Sequence, residues 1–277
     1  MSESHDSSQT GTEAGDQVRD PLDTGIPQSA RVYDFLLGGK DNFEADRMVG
    51  KILIQQAPSL PMVVKANRAF LVRAVTHLVR DAGIRQFLDI GTGIPAANNV
   101  HEVAQAIDPE TRVLYVDNDP IVLAHARALM QSTAAGRTAF IKADLRNPDE
   151  ILGHDTLAAT LDREKPIALM LLGITHHLRD EERPYEIVRR LVDWLPSGSY
   201  LALSAPSSDG NPDVDKAAQT AEQSGITYVG RSREEIARFF EGLEPVEPGI
   251  VPIPEEQQAT PPNPDDVYGW AGIGRKP

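Results

Sequence analysis

Carboxylates and glycines cluster at the ends of short apolar runs in this chain. Together with the residues beside them, they form four groups: Asp89, Gly91, Thr92 and Gly93 at the first run, Asp117 and Asn118 at the second, Asp144 and Leu145 at the third, and Gly173 at the fourth. Ligands of open parallel sheets bind beyond the carboxyl ends of the strands, where these residues are expected to meet. Glycine lets a ligand approach the backbone, and an acid after the second strand commonly binds ribose hydroxyls. The pattern predicts a nucleoside site, although each acid alone also suits a helix cap or a turn.

The glycine turn departs from the dinucleotide fingerprint G-x-G-x-x-G. Pro95, Ala96 and Ala97 follow Gly93, so the third glycine, which would seat a helix beneath a pyrophosphate, is missing. Pro95 instead suits the first position of a helix whose apolar stripe extends to Ile107. An NAD(P)-dependent oxidoreductase stays open as an alternative, but the missing glycine and the acid after the third strand weigh against it.

The elements that must position these residues alternate along the chain. Apolar runs predict strands at 86–90, 112–116, 138–142, 167–172 and 200–204, with a closing strand pair at 246–253 and 267–273. Amphipathic segments predict helices at 62–82, 95–107, 120–131, 149–161, 184–195, 214–224 and 232–242. Five strand–helix alternations and a closing pair predict an α/β protein with an open, doubly wound, mostly parallel sheet.

The region before the first strand differs in composition from the rest. Residues 1–25 are rich in Ser, Thr, Gly and Asp and are expected to form a disordered tail, and 254–264 is expected to be a proline-rich loop. Residues 26–84 are interpreted as a helical extension or lid, ahead of a ligand-binding domain at 85–277. The polar residues of the helical extension either lie on the surface without a role in binding or form the wall of a substrate pocket. The candidates for such a wall are Tyr33, Asp34, Lys40, Asn42 and Arg68.

Composition excludes several classes of protein. The formal charge of −14 over 277 residues disfavours nucleic acid as a partner, because binding a polyanion needs a basic surface. The absence of cysteine excludes disulfides, thiolate catalysis and Cys-ligated metals. No signal peptide, membrane-spanning run, metal-ligand spacing or G-x-S-x-G elbow is present, so we expect a cytoplasmic protein with no membrane partner and no metal.

The strand-end motifs also carry a family resemblance. FLDIGTG, YVDNDP, IKADL, LLGITHHL and LPSGSYLALS resemble the successive motifs of class I S-adenosylmethionine (SAM)-dependent methyltransferases. The blocks ARVYDFLLGGKDNFEADR, ANRAFL, RSREEIARFFEGLEPVEPGIV and YGWAGIGRKP resemble one bacterial family of these proteins, formerly described only as a domain of unknown function. The resemblance implies SAM as cofactor and a Rossmann-like, seven-stranded sheet with one antiparallel strand near its edge.

Roles for the strand-end residues follow from this resemblance. Asp89, Gly91 and Gly93 would shape the methionine end of the site, and Asp117 would hold the ribose hydroxyls. The adenine would lie beside the residues Asn118, Asp144 and Leu145.

Catalytic residues are less clearly marked in the sequence. His176 and His177 follow the fourth strand, where a general base could reach a transferable methyl group, and adjacent side chains are expected to alternate so that one at most faces the site. Tyr33 is a third candidate. The sequence favours a methyltransferase acting on a small molecule, and the second hypothesis is a catalytically silent SAM-binding regulatory protein.

Overall fold

The structure is a computed structural model that describes residues 24–253 and 267–277. The expected tail at 1–25 lies almost entirely outside the described residues, and the expected loop at 254–264 lies wholly outside them.

A single mixed sheet forms the centre of the molecule. Its strands are β1 (Gln86–Ile90), β2 (Arg112–Asp117), β3 (Arg137–Lys142), β4 (Ala168–Leu172), β5 (Tyr200–Pro206), β6 (Glu244–Pro245), β7 (Val251–Ile253) and β8 (Gly269–Arg275). The order is β3-β2-β1-β4-β5-β8-β6, and β7 also pairs with β8. The first five strands are mutually parallel, and β8 is antiparallel to β5. The predicted α/β class, the doubly wound order and the single antiparallel strand near the edge are confirmed.

Over the described residues, the sheet has eight strands where the resemblance implied seven. The edge position beyond β8 is divided between two short strands, with Glu244 opposite Arg275 and Val251 opposite Ala271. The predicted strand at 246–253 is therefore reduced to its last three residues. Pro245 and Pro248 lack the N–H that a continuous ladder needs, so the chain leaves the sheet between β6 and β7.

Ten helices of four or more residues accompany the sheet in the described part of the chain. They are α1 (Ser29–Leu37), α2 (Glu44–Gln56), α3 (Leu60–Arg80), α4 (Val100–Ile107), α5 (Pro120–Leu129), α6 (Pro148–Leu152), α7 (Asp155–Thr160), α8 (Pro184–Trp194), α9 (Pro212–Gln223) and α10 (Arg233–Arg238). Two 3₁₀ turns, Thr175–His177 and Asp180–Glu182, follow β4. No described helix combines the length and the apolar character that crossing a membrane would require.

The prediction that a helix starts at Pro95 is wrong. Asn98 adopts a left-handed conformation (φ 63°), and α4 begins only at Val100. Asn99 is the cap, and its backbone N–H donates to Glu102 Oε2 over 2.7 Å in a capping box. Such a box satisfies two exposed N–H groups, so the N-x-x-E sequence decides the start of the helix.

Alternating side chains of the strands build a core on each face of the sheet. Leu88 and Leu114 pack with the apolar faces of α6, α7 and α8, whereas Phe87 and Val113 pack with α3 and α4. All four side chains are fully buried, and this two-sided burial is why the strands read as nearly continuous apolar runs.

The helices before β1 divide into two parts. α3 belongs to the core layer, since its Val75 and Leu78 are fully buried against the sheet. α1 and α2 form a separate apolar cluster with α9 residue Ala217 and roof one end of the sheet. A buried ion pair joins them, with Arg31 Nε 3.3 Å from Asp46 Oδ2, and Asp46 also accepts from the N–H groups of Gln28 and Phe43.

Candidate functional site

The strand ends open into a cavity of about 510 Å³. Every predicted cofactor-binding residue lines it, namely Asp89, Gly91, Thr92, Gly93, Asp117, Asn118, Asp144, Leu145 and Gly173. Tyr33, Arg68, His176 and His177 also line this cavity, whereas Asp34, Lys40 and Asn42 do not. The sheet therefore brings together most of the predicted residues, and part of the α1–α2 turn stays outside.

The turn after β1 requires glycine for a steric reason. Gly91 has a φ of +78°, and a Cβ there would lie 2.6 Å from Ile174 in the segment after β4. Its N–H donates to Val116 O over 2.9 Å, which ties the turn to β2. Residue 91 needs both a left-handed backbone and the absence of a side chain, so the first glycine of the GxG turn is sterically required.

Asp89 is a buried carboxylate that faces the cavity without a hydrogen-bond partner among the described residues. Its side chain lies at the end of β1 and is 7% exposed. Burial raises its pKa to about 7, with the charge of Arg68 opposing the shift and that of Asp117 adding to it. A cationic ligand would stabilise the ionised form of such a group. The sulfonium and ammonium charges of SAM meet that requirement.

Asp117 is fixed by two backbone hydrogen bonds. Its Oδ2 accepts from Gly93 N and its Oδ1 from Asp119 N, each over 2.9 Å. Burial raises the pKa of Asp117 to about 6, although these bonds oppose the shift. Each carboxylate oxygen retains acceptor capacity, which suits the two neighbouring hydroxyls of a ribose.

A polar rim continues from β2 to the segment after β4. Asn118 Nδ2 donates to Asp144 Oδ2 over 2.9 Å, and Arg146 contacts Asp144, Glu182 and the carbonyl of His177. Burial raises the pKa of Asp144, but hydrogen bonds from Arg146 N and Asn118 outweigh it and hold the pKa below its usual value. Asp144 therefore stays ionised at neutral pH and can accept from an amino group.

The start of α4 is not arranged to bind an anion. Glu102 Oε2 accepts from Asn99 N and Tyr115 Oη accepts from His101 N, so two of the N–H groups that a pyrophosphate would use are already engaged. Arg68 Nη2 donates to the carbonyls of Ala97 and Asn98 over 3.0 and 2.9 Å. With two buried acids beside the turn, this arrangement disfavours the dinucleotide alternative.

Both residues after β4, His176 and His177, line the cavity. They lie in a 3₁₀ turn, in which successive side chains are about 120° apart, and not in a strand. His177 Nδ1 lies 2.7 Å from Thr227 O, and since a carbonyl only accepts, Nδ1 carries the proton and Nε2 is left as an acceptor. Burial lowers the pKa of His177, which keeps the ring neutral at pH 7.

His176 is held between two rings. Its centroid lies 4.0 Å from that of His177 and 4.8 Å from that of Tyr228. Burial lowers the pKa of His176 well below its usual value, and the nearby charge of Arg231 adds to this shift. Its Nδ1 is buried without a partner among the described residues, so His176 is a neutral ring with unused hydrogen-bonding capacity.

A chain of three polar side chains crosses the cavity wall. Ser204 Oγ donates to Asn67 Oδ1 over 2.7 Å, Asn67 Nδ2 donates to Tyr33 Oη over 3.2 Å, and Tyr33 Oη donates to Val64 O over 3.1 Å. Burial raises the pKa of Tyr33, so its hydroxyl stays protonated.

Sequence reasoning assigned no role to several lining residues, among them Asn67, Ser204 and Tyr228. Two sequence positions could have identified lining residues: Asn67 precedes the candidate Arg68 on α3, and Ser204 lies near the end of strand β5. Tyr228 lies in an irregular segment after α9, for which no pattern exists.

Asp34, Lys40 and Asn42 shape the α1–α2 turn. Asp34 Oδ2 accepts from Asn42 Nδ2 over 2.7 Å and from Asp41 N over 3.0 Å. A Cβ at Gly39 would lie 1.9 Å from Asp34 Oδ1, so this glycine is required by the same carboxylate. Lys40 is exposed. Asp34 and Asn42 therefore hold the turn closed, and neither they nor Lys40 line the cavity.

Metal chemistry has no support in the described residues. Within 24–253 and 267–277, no three His, Asp or Glu side chains are placed to hold a metal ion.

Comparisons with known proteins agree with the geometry of the site. The sequence model of the S-adenosyl methyltransferase family matches residues 15–277. A DUF574 family protein from Streptomyces avermitilis is 45% identical, with 92% of this chain and 99% of that chain covered and a TM-score of 0.87. A candidate methyltransferase from Thermobifida fusca is 41% identical, with 95% and 99% covered and a TM-score of 0.85. Among curated proteins, no relative matches.

The resemblance inferred from the motifs is confirmed, because one family model spans all but the first 14 residues of the chain. The residues that face the cavity also suit a cationic nucleoside better than an anionic dinucleotide. The chain therefore belongs to the S-adenosyl methyltransferase family, and it is a SAM-dependent methyltransferase.

Proposed function

We propose that this methyltransferase acts on a small-molecule acceptor held in the same cavity as the cofactor. The observation that carries the proposal is the continuity of the cavity. It extends from the strand ends, with Asp89 and Asp117, to a chamber roofed by residues of α1, α3 and α9. A roofed chamber suits a molecule that enters whole and disfavours a macromolecular surface.

The cofactor would lie across the carboxyl ends of β1, β2 and β3. Asp89 is suited to the cationic methionine end, Asp117 to the ribose hydroxyls, and Asn118 with Asp144 and Leu145 to the adenine. When bound, SAM supplies a methyl group on a positively charged sulfur, which is open to attack in line with the methyl–sulfur bond. The chain's contribution is orientation, which can supply as much as ~7–11 kcal/mol of such a barrier.

His177 is the best-placed group for proton transfer. The hydrogen bond to Thr227 O leaves its Nε2 unprotonated, and the lowered pKa keeps the ring neutral, as a proton acceptor requires. His176 and Tyr33 line the same space. Both stay uncharged at neutral pH, so we assign them to positioning the acceptor.

Partner and location are proposed on composition. The formal charge of −14 supports a partner other than nucleic acid, and the absence of cysteine suits the reducing cytoplasm.

The test is a calorimetric titration with SAM and with NADH on the protein and on Asp117→Ala. We expect SAM to bind and NADH not to bind. The Asp117→Ala variant should bind SAM roughly 10–100-fold more weakly, because hydrogen bonds to a charged group contribute about 1.5–3 kcal/mol.

The matched control for this titration is Asp149→Ala. Asp149 is an exposed carboxylate paired with Arg190, and it does not line the cavity, so its removal should leave SAM affinity unchanged. Equal weakening in both variants, or binding of NADH at the expense of SAM, would contradict the site assignment.

A further inference from the structure

The part of the cavity away from the strand ends is apolar. We call it the acceptor chamber and define it by six side chains that line it: Leu36, Leu53, Leu60 and Val64 from α1–α3, and Ala221 and Ile226 from α9 and the segment after it. Leu36, Leu53 and Val64 are buried against one another in the cluster that roofs the sheet. An apolar molecule in this chamber would replace contacts with water by contacts with hydrocarbon.

The acidic side chains that line the cavity belong to its other half. Asp89, Asp117, Asp119 and Asp144 all lie at the ends of β1, β2 and β3. The two lining cations are engaged: Arg68 donates to the carbonyls of the loop before α4, and Arg146 pairs with Asp144 and Glu182. A charged acceptor would therefore lose its hydration in the chamber without meeting a free counter-charge, which is costly.

Three polar side chains beside the chamber, Tyr33, Asn67 and Ser204, bond mostly to one another and to the backbone. In the chain from Ser204 through Asn67 to Tyr33, both hydroxyl protons are committed, one to Asn67 Oδ1 and the other to Val64 O. What remains is one N–H of Asn67 and acceptor lone pairs on the oxygens of Ser204 and Tyr33. A group that both donates and accepts, such as a neutral hydroxyl, would complement this short polar stripe.

We propose that the acceptor is an uncharged, predominantly apolar molecule that presents one neutral hydroxyl to the stripe formed by Tyr33, Asn67 and Ser204. This proposal rests on the proposed function, since it assumes that the acceptor shares the cavity with the cofactor. It names the substrate class and predicts that carboxylates, phosphates and ammonium compounds bind poorly in the chamber.

The test compares three probes of one shape and different charge. The protein is saturated with S-adenosylhomocysteine, which has no methyl group to transfer, and is titrated at pH 7 with 2-naphthol, 2-naphthoate and 2-naphthylmethylammonium. Binding is measured by ligand-observed NMR and calorimetry. We expect naphthol to bind at least tenfold more tightly than either ion. Equal or tighter binding of an ion would overturn the proposal, as would failure of all three probes to bind.

A charge placed in the chamber should reverse the preference. Ile226→Lys puts an ammonium group on the wall, so naphthoate should gain affinity and naphthol should lose it. Leu129→Lys is the matched control, because Leu129 is 61% exposed on α5 and does not line the cavity. An unchanged order of probe affinities in Ile226→Lys would show that the probes bind elsewhere.

The cofactor assignment and the acceptor class are contradicted by different results. If S-adenosylhomocysteine does not bind at all, the cofactor assignment fails. If it binds normally and the ions compete with naphthol, only the acceptor class is wrong.

Discussion

At the residue scale, the proposed cofactor site contains two acids whose pKa values burial raises toward neutral pH. Asp89 and Asp117 lie at the ends of adjacent strands, and the pKa values are raised to about 7 and about 6. A group whose folded-state pKa exceeds its unfolded value of 3.8 binds more protons when folded. Its contribution to stability is therefore retained at low pH and lost as the pH rises toward the folded pKa.

The Asp89→Asn variant tests this at a single residue. Since asparagine does not ionise, the cofactor-free variant should be more stable than the native protein at pH 8, by up to roughly 4 kcal/mol for a shift of about three pKa units. At pH 4 the two proteins should have nearly equal stability. Urea unfolding at both pH values measures the difference.

The same substitution should have the opposite effect on binding. The affinity of the native protein for SAM should rise as the pH increases from 5.5 to 8, because the ionised Asp89 attracts a cation. Asp89→Asn should bind SAM weakly and with less dependence on pH. A variant that is no more stable at pH 8, yet binds SAM normally, would show that Asp89 is not a buried ionisable partner of the cofactor.

At the scale of elements, one buried arginine fixes the segment that carries both histidines. Arg231 is 1% exposed and donates to the carbonyls of Thr175 and Leu178 over 3.0 and 2.9 Å. Arg231→Met leaves the carbonyl of Leu178 without a donor and that of Thr175 with the N–H of Leu178 alone, and it should destabilise the protein by about 2–5 kcal/mol. Thermal melting should show this as a fall in Tm, and Arg231→Lys should restore only part of it, since Lys lacks the planar fork.

The control for Arg231 is Arg189→Met. Arg189 is 61% exposed and pairs with Glu241 on the surface, where such pairs contribute at most ~1 kcal/mol. Equal losses of Tm in the two variants would contradict the structural role of Arg231.

The buried ion pair between Arg31 and Asp46 joins α1 to α2. Removing the carboxylate in Asp46→Ala leaves Arg31 as a buried charge without a counter-ion, and breaking such a pair costs about 3–5 kcal/mol. Because α1 and α2 pack apart from the sheet core, amide exchange should accelerate in residues 29–56 and remain slow in β1, β2 and β4.

Glu44→Ala serves as the comparison for Asp46, since Glu44 lies in the same first turn of α2 and is exposed. It should change stability by no more than ~1 kcal/mol through the helix dipole. Uniform acceleration of exchange over the whole sheet in Asp46→Ala would mean that α1 and α2 do not open separately.

At the scale of the whole molecule, cofactor binding and folding are linked. SAM at 100 times its Kd should stabilise the native state by about 2.7 kcal/mol, which corresponds to roughly 5 °C in Tm for a chain of this length. NADH at the same concentration should leave Tm unchanged. A larger shift with NADH than with SAM would contradict the cofactor assignment.

The sequence by itself determined which strands form the parallel sheet and which polar residues and glycines lie at their ends. The apolar runs, Gly91 and Gly93, and the acids at successive strand ends predicted the sheet, its doubly wound class and the cofactor side of the site. These features are local in sequence, because a buried parallel strand needs a continuous apolar run and a close turn needs glycine.

The side of the cavity that we propose for the acceptor was decided by the tertiary structure. Asn67, Ser204 and Tyr228 are separated by up to 161 positions and meet only because α3, β5 and the segment after α9 converge on one cavity. Asp34 and Asn42 have the residue types of a binding site, but in the folded protein they hydrogen-bond to each other and close a turn. Side-chain chemistry can be read from sequence, but which polar group faces a ligand and which faces another protein group depends on long-range packing.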